Sequence, residues 1–360
     1  MPTRVGCCIT PHGFGHAARA CAVMETLSAR VAVHFEIVTT VPEWFFTESL
    51  TAPYTLHPIN CDIGLVQCNS LEEDPGQTLE LLDRFYPLGQ ALVDRVAALF
   101  EDCSLVICDI ASLGIAAAQR AGIVSVLVEN FTWDWIYCSY LEQWPGFDYH
   151  ISYLQQLYAS VDYHLQAEPV CAAVDCDLLT APIARQRKLE RQVVRDKLQV
   201  ADTDTLVLVT MGGVPGVEMN LDRMAGMDQC FVLPGHAKGE MVVQGNLRML
   251  PPESGIYHPD LVAACDAVIG KVGYSTLAEV YQAGVPFGYI CRPEFRESAP
   301  LAAFIDREMV STEITGEQFG DGSWLDRVSE LCRRPLDLKK RENGSMAAAA
   351  FLGDLLSSQP

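Results

Sequence analysis

From Leu261 to Ile290 the chain runs through an apolar stretch, a glycine-containing turn, a helical pattern and a second apolar stretch. That order leaves few folds open. Short continuous apolar runs read as strands buried on both faces, and a helix between two of them reads as the crossover of a parallel sheet. The connecting segment, Gly270–Pro286, reads GKVGYSTLAEVYQAGVP. A turn is expected at Gly273, a helix opened by Ser275 and Thr276, and a helix end at Ala283–Gly284. The first N–H groups of a helix lack intrahelical partners and its dipole favours negative charge, so strand, turn and helix together form an anion site. Ser275 or Thr276 is placed either to cap the helix or to bind a phosphate oxygen. Glu279, one turn further in, either stands solvated on an ordinary helix or accepts hydrogen bonds from both hydroxyls of a ribose. On the second reading the segment holds a nucleoside diphosphate. Short glycine motifs alone do not decide between the two.

The same alternation fills the rest of the chain. Arg4–Thr10, Val31–Thr39, Leu105–Asp109 and Val124–Glu129 read as strands, with helices at Ala17–Ser28, Leu81–Phe100 and Gly114–Ala121, the last ended by Gly122. After a charged linker and helix at Ile183–Leu198 the pattern restarts. Thr205–Thr210, Cys230–Leu233, Leu247–Leu250, Ala267–Ile269 and Phe287–Ile290 are its strands, and Gly344–Leu356 is a final Ala- and Leu-rich helix. Repeated βαβ units of this kind make a parallel, doubly wound α/β sheet. A length of 360 residues with 49% apolar content supplies two cores. The expected domains are 1–182 and 183–343.

Charge narrows the partners. The balance of 46 acidic against 25 basic residues gives −21, which argues against nucleic acid and against an anionic membrane surface. No apolar run reaches the roughly 18 residues of a membrane span, and the N-terminus does not read as a signal peptide. Fourteen cysteines, many inside apolar runs such as VGCCIT and LVICDI and none in a C-x-x-C pair, read as buried reduced thiols. A cytoplasmic location is expected. The two D-x-D triplets, Asp175–Asp177 and Asp202–Asp204, do not follow buried strand ends and are read as incidental, so no metal site is expected.

Several groups fall at strand ends, where ligands of open α/β sheets bind. The loop after the first strand, PHGFGH, carries His12, Phe14, Gly15 and His16. His16 opens a helix whose dipole disfavours an imidazolium, which suits a neutral general base, although a structural hydrogen bond is the plainer role. Arg19 reads as a salt-bridge residue on that helix. Asp109 ends a buried strand, where an ionised carboxylate needs a partner. Trp133 and Trp135 either stack on a sugar or anchor a loop, and Glu129 or Asp134 is a reserve base. In the second half, Gly212–Gly213 forms a turn able to approach a diphosphate, His258 lies near the base or phosphate, and Lys271 offsets phosphate charge.

Read together, Gly273, Thr276 and Glu279 resemble the Gly–x–x–Thr–x–x–Glu donor signature of GT-B glycosyltransferases, including the bacterial cell-wall N-acetylglucosaminyltransferases. The blocks HGFGHAAR, ENFTWDWIY, HPDLVAACDAVIGKVGYSTLAE and FRESAPL more narrowly resemble the glycosyltransferase-like region that precedes the kinase domain of plant L-arabinokinases, and its stand-alone bacterial relatives. The resemblance implies a GT-B fold, two Rossmann-like domains facing a central cleft, with helix 344–356 packing back on the first. It implies His16 and Asp109 as a catalytic dyad, as in plant-type enzymes, and places Arg296 and Glu297 on the donor sugar. Paired glutamines that the cell-wall enzymes carry there are missing, which leaves the sugar open. The implied activity is metal-independent, inverting transfer of a hexosyl or pentosyl group from a nucleotide sugar, expected to be a UDP-sugar, to an acceptor hydroxyl near His12, Phe14, Trp133 and Trp135. No cofactor beyond that cosubstrate is implied. Hydrolysis or epimerisation of the same donor, or sensing without catalysis, are the alternatives.

Overall fold

The computed structural model describes residues 2–69, 71–212, 220–337 and 339–358. Gly213, with the Val214–Gly216 stretch after it, lies outside them. The chain divides into two compact units. Unit 1 comprises 1–66, 73–184 and 343–360, and unit 2 comprises 67–72 and 185–342.

Unit 1 is built on seven parallel strands: β1 (Thr3–Ile9), β2 (Val33–Val38), β3 (Tyr54–His57), β4 (Cys103–Asp109), β5 (Val124–Glu129), β6 (Tyr163–Ala167) and β7 (Leu178–Thr180), in the order β3-β2-β1-β4-β5-β6-β7. β4 shows why: Leu105, Val106, Ile107 and Cys108 are all buried, so both of its faces need covering, and the crossover helices supply that. The order reverses between β1 and β4, and this switch point is where a crevice opens at the strand ends. The C-terminal helix Gly344–Ser358 belongs to this unit. It packs on the helix Gly15–Ser28 through buried Ala348, Ala349 and Leu352 and a 3.0 Å Thr26–Ser345 hydroxyl contact. Asn343 pins its start by donating from Nδ2 to the Ala184 carbonyl at 2.8 Å.

Unit 2 repeats the plan with β8 (Leu206–Thr210), β9 (Cys230–Pro234), β10 (Val242–Gln244), β11 (Leu247–Leu250), β12 (Ala267–Lys271), β13 (Phe287–Ile290) and β14 (Ser311–Glu313). The order is β10-β11-β9-β8-β12-β13-β14, and all pairs are parallel but the edge pair β10–β11. Its core gathers Val209, Phe231, Leu233, Ile269, Ile290 and Trp324. The switch point lies between β8 and β12.

Some local expectations need correction. The helix expected over Leu81–Phe100 is two helices, Pro75–Phe85 and Gln90–Phe100. Pro87 between them lacks an N–H and forces Tyr86 into an extended conformation, with ψ 143°. The apolar run Leu261–Ile269 holds both a helix end and a strand, as the expected strand Ala267–Ile269 requires: Leu261–Ala264 ends the helix His258–Ala264 and β12 starts at Ala267. Gly122 and Gly284 do end their helices, in the left-handed conformation that favours glycine, at φ 72° and 67°.

Candidate active site

In unit 1 the ends of β1, β4 and β5 assemble one polar group. His16 is the second residue of the helix Gly15–Ser28, and its Nδ1 lies 2.8 Å from Oδ1 of Asp109, the last residue of β4. Arg19, one turn along that helix, forks onto the same carboxylate, Nε to Oδ2 at 2.8 Å and Nη2 to Oδ1 at 2.6 Å. Its Nη1 donates to Oδ1 of Asn130, just past β5, at 2.5 Å. Arg19 and Asp109 are each 1% exposed. Burial opposes ionisation of Asp109, but the Arg19 charge and the hydrogen bonds from His16 and Arg19 outweigh it and hold the carboxyl below the usual range. An ionised Asp109 accepts the Nδ1 proton, which selects the tautomer whose lone pair, in the neutral imidazole, sits on Nε2. The 3.3 Å approach of Arg19 Nη2 to Nδ1 is then a contact of two donors.

Aromatic rings wall this group. Trp133 stands edge-on to His12, with centroids 5.1 Å apart, and 6.1 Å from His16; Phe131 lies 5.7 Å from His16. Trp133 is fully buried, so it anchors the histidines and cannot present a face to a sugar as a stacking platform. Trp135 keeps partial exposure, and Phe14 stacks on Phe45 at 5.1 Å. Of the reserve bases, Glu129 has only Oε1 engaged, by His164 at 2.8 Å and Gln166 at 2.7 Å, while its buried Oε2 has no partner among the described residues; burial pushes the Asp134 carboxyl up.

A second buried carboxyl, Asp62, was not singled out by the sequence. It follows β3 in NCDIG, where a lone aspartate reads as a turn residue. Thr10 donates to it at 2.7 Å and Tyr86 at 2.9 Å, and Tyr86 also meets Ser112 at 2.6 Å. Burial pushes its carboxyl up against those hydrogen bonds.

In unit 2, β12 ends at Lys271 and the helix Tyr274–Ala283 follows, with Gly273 as its N-cap. The N-cap position is Gly273, which has no side chain, and Ser275 and Thr276 lie inside the helix; among the described residues neither hydroxyl is seen capping it. Gly273 is extended, at φ −162°, where a turn was expected, and a Cβ there would touch nothing within 4 Å. The fold itself does not require glycine at this point, and the space around its Cβ position is open, as it is at Gly89, the N-cap of another helix. Across the switch point, a Cβ on Gly212 would come within 2.8 Å of Lys271 Cε, so the β8 turn and the β12 lysine converge. The pair Arg296–Glu297 lies between β13 and the helix Ser298–Glu308, with Glu297 buried at its N-cap.

Glu279 is 3% exposed and already engaged. Arg185 Nε donates to Oε1 at 2.9 Å, and His258 Nδ1 lies 2.6 Å from Oε2. Burial opposes its ionisation, but Arg185 and His258 outweigh that and hold the carboxyl below the usual glutamate range. Tyr257 supports the arrangement, with the Arg185 guanidinium 4.9 Å and the Lys188 ammonium 4.7 Å from its ring centre. Arg185 escaped sequence reading because it sits in a stretch with no periodicity. Of the D-x-D carboxylates, Asp177 accepts the His164 N–H of β6 at 2.7 Å, at the start of the β6–β7 pairing, and Asp204 accepts the Ala201 N–H at 3.2 Å in a local turn.

Two repeats of this sheet order, each with polar groups at its switch point, match known structures over essentially their whole length. A UDP-glucosyltransferase from Polygonum tinctorium is 14% identical, with 100% of this chain and 99% of that one covered at a TM-score of 0.62. MurG from Acinetobacter baumannii is also 14% identical, with 99% and 100% covered at 0.54. The chain has the GT-B fold. No protein-family model matches this GT-B chain. Among curated proteins, L-arabinokinase of Arabidopsis thaliana is 29% identical over 336 residues, 90% of this chain. The chain spans about a third of that relative, 32% of its length. Within the GT-B plan, the sequence-derived residues fall into two groups. His12, Phe14, Gly15, His16, Asp109, Trp133 and Trp135 belong to unit 1; Gly212, His258, Lys271, Gly273, Ser275, Thr276, Glu279, Arg296 and Glu297 belong to unit 2. No described helix is long and apolar enough to cross a membrane.

Proposed function

We propose that this chain is a nucleotide-sugar-dependent glycosyltransferase, with a UDP-sugar as donor. The observation that carries the reading is His16, held through Nδ1 by an ionised, arginine-bound Asp109 at the switch point of a Rossmann-like sheet. Such a group keeps one imidazole tautomer, with Nε2 as the base; the helix N-terminal dipole disfavours the imidazolium at rest, and the ionised Asp109 supports the charge when Nε2 takes up the acceptor proton. The GT-B fold and the name of the Polygonum tinctorium relative favour a UDP-sugar over other ligands of Rossmann-like sheets.

In the proposed reaction an acceptor oxygen attacks the anomeric carbon while its proton passes to Nε2 of His16. The bond from that carbon to the β-phosphate oxygen breaks, and the diphosphate leaves with the electron pair. One displacement inverts the configuration. The N–H groups of Tyr274, Ser275 and Thr276 and the Lys271 ammonium meet the charge that develops on the leaving diphosphate, so the scheme needs no metal ion. Gly212 and the extended Gly273 leave room for the phosphates, and Arg296 and Glu297 face the donor sugar. Phe14, His12 and Trp135 border the acceptor. The transferred group is a hexosyl or pentosyl unit. The kinase chemistry of the longer curated relative is not part of this proposal.

The test is release of UDP from a panel of UDP-sugars, with and without acceptor alcohols. His16→Ala should lower kcat by at least about 100-fold while leaving the dissociation constant of UDP unchanged. Unchanged turnover in that variant removes His16 from the chemistry. UDP release at full rate without any acceptor replaces transfer by hydrolysis.

A further inference from the structure

The two units hold the same three-residue device. In unit 1 it is His16, Asp109 and Arg19. In unit 2 it is His258, Glu279 and Arg185, with imidazole Nδ1 on one carboxylate oxygen at 2.6 Å and arginine Nε on the other at 2.9 Å. The buried members are alike: the Glu279 side chain is 2% exposed and that of Arg185 7%. The His258 side chain is 27% exposed. Its Nδ1 contact to Glu279 is its one hydrogen bond among the described residues.

The resemblance to donor signatures places Glu279 on a ribose. The geometry points elsewhere: we propose that His258 Nε2, not the Glu279 carboxylate, accepts the hydrogen bond from a ribose hydroxyl of the bound nucleotide, and that Glu279 is a positioning residue behind it. The proposal rests on the reading of unit 2 as the nucleotide-sugar half. Both oxygens of Glu279 are taken and covered, whereas the imidazole reaches the surface. With Nδ1–H given to Glu279, a neutral His258 carries its lone pair on Nε2, the form that accepts from a ribose O–H. The residues flanking His258 are also tied to this segment. Its neighbour Tyr257 has the Arg185 guanidinium and the Lys188 ammonium over its ring, and Asp260 Oδ1 accepts the backbone N–H of Lys188 at 2.5 Å and of Leu189 at 3.0 Å. The segment 185–189 thus braces both His258 and the carboxylate that orients it.

The experiment is calorimetric titration of the full chain with UDP and with its 2′-deoxy and 3′-deoxy analogues, on wild type, His258→Ala, Glu279→Gln and the double variant. The expected wild type binds UDP about tenfold more tightly than one of the two deoxy analogues. His258→Ala should weaken UDP by about the same factor and abolish that discrimination. Glu279→Gln should weaken UDP without adding to the loss in the double variant, because both changes remove one interaction. If His258→Ala binds UDP as wild type does and still discriminates against the deoxy analogue, the proposal is overturned and the carboxylate holds the ribose itself. If Glu279→Gln fails to fold, with Arg185 left without its carboxylate, the His258→Ala arm alone still decides. If wild type binds no UDP, the donor-site reading falls and this proposal with it.

Discussion

Asp109 and Asp62 are both 1% exposed carboxyls of unit 1, yet their surroundings drive them in opposite directions. Asp109 has Arg19 and is held low; around Asp62 burial outweighs two hydroxyls, a backbone N–H and the influence of His16, and the carboxyl is pushed up. The signs follow. A depressed folded pKa contributes stability above the unfolded value, near 4 for aspartate, and loses it as pH falls through the folded value. A raised folded pKa contributes stability below the unfolded value and loses it as pH rises through the folded one. Urea denaturation of Asp109→Asn should therefore show its largest loss at neutral pH, on the order of 3–5 kcal/mol with Arg19 left uncompensated, shrinking below about pH 4. Asp62→Asn should cost most in acid and less as pH rises. Parallel pH profiles for the two variants would refute this assignment of charge.

The helix Tyr274–Ala283 has a glycine at each end, and the two do different work. At Gly284 the backbone is left-handed, φ 67°, and a Cβ would meet the Asp337 carbonyl oxygen at 2.0 Å. At Gly122 the conformation is similar, φ 72°, but nothing lies within 4 Å. Gly122→Ala should cost about 1 kcal/mol from conformation alone, and Gly284→Ala clearly more, since the Asp337 backbone must also move. Equal losses in denaturation would contradict the close approach. At the other end, Gly273→Ala should leave the melting temperature unchanged or slightly raised, because φ −162° suits any residue. The same variant should weaken UDP binding at least about tenfold, since the methyl group enters the space before the helix N–H groups. Undiminished binding by Gly273→Ala would take the phosphates away from this helix.

At the scale of the molecule, unit 1 is not one continuous stretch. Residues 343–360 return to it after the whole of 185–342. Deleting 343–360 removes Ala348, Ala349 and Leu352 from their contact with the helix Gly15–Ser28 and cuts the Asn343–Ala184 link. Calorimetry of the truncated chain should show the transition of unit 1 lowered and that of unit 2 kept. A truncated chain that melts as the full one does would show that unit 1 closes without its last helix. The fourteen cysteines are all free thiols, so no disulfide substitutes for that helix.

The order of apolar runs, glycines and helical patterns by itself determined the doubly wound class, because strand burial and crossover geometry are written locally, in stretches such as LVICD and FGYI. It also located His16, Asp109 and the Gly273–Glu279 segment, since each sits at a strand end. What it did not show were partners drawn from distant parts of the chain. Arg19 reads as a salt-bridge residue, but its partners, Asp109, 90 positions away, and Asn130, come into view only in the fold. Asp62 reads as a turn until Thr10 and Tyr86 bury it. Glu279 reads as a free ligand until Arg185, 94 positions earlier, and His258 occupy its two oxygens. Desolvation and ion pairing depend on which residues tertiary folding brings within a few ångströms, and no local pattern carries that information.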